Sequence, residues 1–145
     1  MNNFAIMAFA AIGIGSPALA DGFCDTVAAL AFGQSPTKMI TLPNTDVRAE
    51  SCRPSLGLGG TKAVNCAWPF EYRAPQAHAA FEDTLHAVET CLGTHASAQL
   101  DGLVNHPDSY DLRTYSIAQG SVSVSLKDKG ALQKTYVFLK VERAP

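Results

Sequence analysis

The 145-residue chain has no surplus of positive charge: 11 basic side chains stand against 13 acidic ones, for a net charge of −2. A nucleic-acid binder draws much of its affinity from neutralising phosphates, so this balance excludes nucleic acid as an expected partner. Charged residues make up 17% of the chain and hydrophobic ones 47%, the reverse of a composition that keeps a chain unfolded. Internal repeats, low-complexity tracts and Gly- or Pro-rich linkers are missing, so one domain is expected. Cysteines are few, and none forms a C-x₂-C pair that would suit a metal knuckle or thiol exchange. Beyond residue 20 no apolar run reaches the roughly 18–20 residues of a membrane helix.

What is there begins with MNNFAIMAFAAIGIGSPALA, which lacks any charged side chain. Its apolar core from Phe4 to Gly15 leads into Ala18-Leu19-Ala20, the small-x-small pattern of a signal-peptidase site. The n-region departs from the usual pattern in having no Lys or Arg. These features predict a signal peptide over residues 1–20, cleaved after Ala20. The mature chain is then a single α+β domain of residues 21–145, periplasmic or secreted, without a membrane span.

Cys24, Cys52, Cys66 and Cys91 all fall in that mature part, and an even count in an exported chain predicts two disulfides. Val64, Cys66, Trp68, Phe70 and Tyr72 alternate as on a strand, and a helix is predicted from Pro75 to Leu92, closed by Gly93. Phe81, Leu85, Val88 and Leu92 would form its buried stripe. Cys66 lies about 20 Å up the strand and Cys91 about 24 Å up the helix, which favours a Cys66–Cys91 bridge and leaves Cys24–Cys52. The alternative, Cys52–Cys66 with Cys24–Cys91, would set Arg48 and Glu50 on the face of Trp68 and Phe70 if residues 46–52 formed the pairing strand.

Phe23–Phe32 reads as a short amphipathic helix. Asp46–Cys52 and Lys62–Tyr72 read as a hairpin turning at Leu58-Gly59-Gly60, and residues 93–109 as a long polar connection. Ser121–Lys127 alternates strictly and implies a three-stranded meander over 111–118, 121–127 and 132–142. Two-residue turns would place Ile117 and Val137 opposite Val122. The expected fold is therefore an antiparallel sheet, a hairpin plus a meander, packed by a central helix in the order α-β-β-α-β-β-β.

Chemical motifs are sparse. Residues 56–62 satisfy neither phosphate-loop pattern and are expected to be a hairpin turn, and Ser35-Pro36-Thr37-Lys38 has the S-x-x-K spacing but none of its companion motifs. His106, Asp108 and Asp111 put an imidazole and two carboxylates within six residues, suited to an acid–base pair or a divalent cation, although Asn, Pro and Ser around them equally make a turn. Tyr136 and Phe138 should point away from the central helix. Either a loop or the first helix covers them, or they form a contact surface for a partner protein.

The expected function is a small exported binding protein without catalysis, cofactor or metal, such as an inhibitor or immunity-type partner of another exported protein. Two alternatives remain: a small hydrolase or metal-dependent enzyme using the 105–111 cluster, and a small-ligand carrier with a pocket lined by Trp68 and Phe81.

Overall fold

The computed structural model of the protein describes residues 18–35, 40–93, 97–104 and 110–145. Helix α1 spans Ala18–Ala31 and helix α2 spans Pro75–Leu92. The strands are β1 (Ser51–Leu56), β2 (Lys62–Glu71), β3 (Ser97–Val104), β4 (Tyr110–Ile117), β5 (Gly120–Lys129) and β6 (Lys134–Arg143). They pair antiparallel in one sheet ordered β1-β2-β6-β5-β4-β3. The α-β-β-α order followed by the meander is thus present, with β3 added at the far edge.

Alternation along each strand sorts the side chains onto two faces. Cys66 and Trp68 of β2, Val137, Leu139 and Val141 of β6, and Val122, Val124 and Leu126 of β5 form one buried face. Against it pack Phe23, Val27 and Leu30 of α1, and Ala77, Ala80, Phe81, Leu85 and Val88 of α2. Pro75 opens α2 and Gly93, at φ 65°, closes it by donating its backbone N–H to Glu89 O, so the expected caps hold. The segment before β1 completes the core: Ile40, Leu42 and Ala49 are buried, and Trp68 donates its indole N–H to Ile40 O at 2.9 Å. The two prolines in strands sit where a missing N–H is tolerated. Pro54 lies in the edge strand β1, and Pro69 lies beyond the last β1 partner, Ser51↔Ala67.

The disulfides are Cys24–Cys91 and Cys52–Cys66, which corrects the favoured pairing. Two geometric reasons account for the difference. First, α2 does not run back along β2 but crosses the sheet, so that Glu89 near its end accepts a hydrogen bond from the Tyr115 hydroxyl of β4 at 2.9 Å. The expected height match between Cys66 and Cys91 presumes a helix lying along β2, whereas β4 lies three strand spacings from β2, roughly 14 Å sideways. Second, the strand that pairs with β2 is 51–56 rather than 46–52, with Cys52 directly opposite Cys66. Arg48 instead bridges Thr41, and Ala49 donates to Ile40 O at 2.9 Å, so the feared clash of faces never arises.

The meander registers also differ from expectation. Tyr115, rather than Ile117, stands opposite Val122, and Val141, rather than Val137, stands opposite it on the other side. The first turn comes one residue earlier, at Ala118-Gln119, and the second is a longer turn over Gly130–Leu132 and Gln133, whose φ is 51°. Both displacements are even, so every side chain keeps its expected face. Strand β3 occupies part of the expected 93–109 connection; Gly102 and a register shift between Asp101 and Val104 break its alternation, which hides it in the sequence.

Candidate binding surface

The sheet face turned away from the helices is built from rows of directly opposed residues. One row runs Pro69–Tyr136–Lys127, the next Ala67–Phe138–Ser125–Leu112, and the next Asn65–Lys140–Ser123–Thr114. Tyr136 and Phe138, two apart on β6, stack with ring centroids 5.5 Å apart. Both are half-buried. Their small row neighbours Ala67 and Ser125 are 9% and 8% exposed, leaving the aromatic pair as the raised centre of a shallow face. Neither α1 nor α2 covers them, because both helices pack on the opposite side.

Charge surrounds this centre. Arg53, Lys127, Lys129, Lys134 and Lys140 share the face with Glu71 and Glu142. Lys134 pairs with Glu71 at 2.9 Å, and Lys140 pairs with Glu142. The Lys140 partner, and then a hydrogen bond from Thr61, hold the Glu142 carboxyl below its ordinary range. Burial, and then the charge and hydrogen bonding of Glu50, hold the Tyr136 phenol above its ordinary value. The helix layer has the opposite character, since neither helix contains a lysine or arginine while Asp25, Glu82, Asp83 and Glu89 lie along them. A net charge near zero therefore conceals a basic aromatic face backed by an acidic layer.

Other expected residues are placed as follows. Asp111 lies on β4 with its carboxylate engaged by Arg113, and His106 and Asp108 lie outside the described residues, as do Pro36, Thr37 and Lys38 of the S-x-x-K stretch. Among the described residues no cluster of three or more metal-ligating side chains occurs. The Gly-rich stretch is a hairpin turn, with Gly57 donating to Thr61 O at 2.8 Å and Gly59 at φ 83°. Trp68 and Phe81, expected to line a ligand pocket, are 0% and 1% exposed and belong to the packed core.

One polar cluster escaped the sequence reading. The buried Asp128 accepts hydrogen bonds from Thr135 Oγ1 at 2.6 Å and Arg73 Nε at 3.0 Å, while Thr135 accepts from the Arg73 backbone N–H at 2.8 Å. Arg73 sits at φ 55°, an uncommon conformation for a side chain with a Cβ. The cluster ties the β2–α2 corner to the β5–β6 hairpin. Its members lie 55 and 62 residues apart, so no local motif announces it.

Comparison of the chain with protein-family models, curated proteins and solved structures finds no match. Two disulfides fit an oxidising setting, and among the described residues no helix is long and apolar enough to cross a membrane.

Proposed function

We propose that this chain is a non-catalytic binding protein, exported to the periplasm or secreted, that engages another exported protein through the helix-free sheet face. An inhibitor or immunity-type partner is its concrete form. The observation that carries this reading is the stacked Tyr136–Phe138 pair, half-buried at the centre of a face that neither helix covers. Aromatic residues at the centre of a patch with a polar rim are the usual anchors of protein interfaces. The lysines and Arg53 on the rim favour a partner with acidic groups around an apolar centre, since complementary charge steers association and selects partners.

A photo-crosslinking residue at position 138, with one at the helix position 82 as control, tests this in an extract of exported proteins. A discrete adduct is expected from position 138 only, lost when Tyr136→Asp is added in a chain that keeps its circular dichroism. The same adducts from both positions, or adducts insensitive to Tyr136→Asp, would contradict the proposal.

A further inference from the structure

The helix-covered face of β2, β5 and β6 is apolar in its middle rows and polar at both ends, with Asp128 and Thr135 at one and Lys62 and Arg143 at the other. At that second end Lys62, the first residue of β2, and Arg143, the last of β6, follow the final registered pair, Ala63↔Glu142, and line one cavity together. The alternation that turns Val64 and Val141 inward puts both cations on the same side. Two like charges lining one cavity repel, and an anion between them relieves that repulsion. The nearest carboxylate in sequence does not serve: Glu142 points to the other face, where Lys140 and Thr61 hold it. Among the described residues no carboxylate pairs with Lys62 or Arg143.

Arg143 is held in place by the end of α1. Its guanidinium lies so close over Gly33 that a Cβ there would collide with it, and Gly33 has φ 81°. Behind the two cations opens a cavity of about 450 Å³ between the end of α1 and the β1–β2 hairpin, walled by Leu30, Pro54, Leu56, Val64 and Val141. That volume is within the range of small-molecule sites, roughly 300–1,000 Å³. At its lip Leu56 is 75% exposed, an apolar side chain left in water. An apolar cavity with two cations at its mouth has the chemistry of one ligand class.

We propose that this cavity binds a single-chain anionic amphiphile, its carboxylate seated between Lys62 and Arg143 and its alkyl chain lying against Leu56, Val64 and Val141. The site is separate from the aromatic sheet face, and its occupation does not depend on a protein partner there.

Calorimetric titration of the full chain with dodecanoate, kept below its micellar concentration, tests the assignment, with dodecyltrimethylammonium as the same tail carrying the opposite charge. Dodecanoate is expected to bind saturably and at least ~10-fold more tightly than the cationic amphiphile, because the head group decides the sign of the electrostatic contribution. Lys62→Gln, at an exposed position, is expected to weaken dodecanoate at least ~10-fold, while the ligand-free melting temperature holds or rises as the repulsion between the two cations is relieved. No saturable binding, equal binding of the two amphiphiles, unchanged affinity in Lys62→Gln, or a ligand-free melting temperature that falls in that variant would each overturn the proposal.

Discussion

Val137 and Phe138 are neighbours in the chain and opposites in the fold. Val137, fully buried, faces α2 within a core that includes Trp68, Phe81 and Leu139, while Phe138 faces outward and stacks on Tyr136. The same strand therefore serves two purposes through the two-residue period alone. The covered face holds the domain together by removing apolar surface from water. The open face carries large aromatic groups that fold only half-buried, with their mutual stacking adding about 0.5–1.5 kcal/mol. Aromatic area that folding does not use is area available to a partner.

The largest test of this contrast removes the clamp on the covered side. Cys24–Cys91 joins α1 to α2 and closes a loop of 67 residues, so replacing both cysteines with alanine is expected to cost about 4 kcal/mol in urea denaturation. Loosening of the helix layer should also raise binding of an apolar dye. Cys52–Cys66 pins the edge of the sheet across a 14-residue separation, and its removal is expected to cost about 3 kcal/mol. That loss should come without new dye binding, because no helix is released.

Asp128→Ala leaves the Thr135 hydroxyl and the Arg73 guanidinium without their buried acceptor, and is expected to cost about 1–3 kcal/mol by the same measurement. Partner capture should survive it, since Asp128 lies on the covered face in the row of Thr135.

Tyr115 sharpens the comparison by pH. Burial first, and then the Glu89 carboxylate that accepts its hydrogen bond, push its phenol far above the ordinary value. The folded state therefore favours the neutral form, and this stabilisation is complete below the unfolded value near pH ~10 and is lost as pH rises through the folded one. In an absorbance titration Tyr115 should ionise well above the ordinary tyrosine range. Tyr115→Phe should flatten the fall of stability in alkali. The smallest effect belongs to the open face, where Lys134→Ala breaks the exposed pair with Glu71 and is expected to leave the urea midpoint unchanged.

The faces were legible in the sequence and the lateral arrangement was not. Alternation in 121–127 and 64–72 assigns inward and outward side chains correctly, and the even slips in register, two residues at Val122↔Tyr115 and four at Val122↔Val141, leave that assignment intact. Turn length resisted prediction because Gly120 and Gly130 both fit a two-residue turn, whereas Gln133 adopts a left-handed conformation that nothing in its side chain requires. The cysteine pairing failed for a related reason. Rise per residue gives a position along an element, but not how far a helix leans across a sheet. Lys62 and Arg143 meet at one cavity only because β2 pairs with β6, which leaves no local signal in the sequence.

The central claim is that β6 has one face for folding and one for contact, and paired substitutions on adjacent residues test it most directly. Leu139→Ala and Phe138→Ala are compared by urea denaturation of the full chain. Leu139, 0% exposed in the core, is expected to cost about 2–5 kcal/mol. Phe138, although the larger side chain, is half-buried and is expected to cost less than Leu139, about 1–3 kcal/mol from its partial burial and its stacking on Tyr136. A loss at Phe138 equal to or greater than that at Leu139 would mean that the aromatic pair belongs to the core, and the sheet face would then have no claim to be a binding surface.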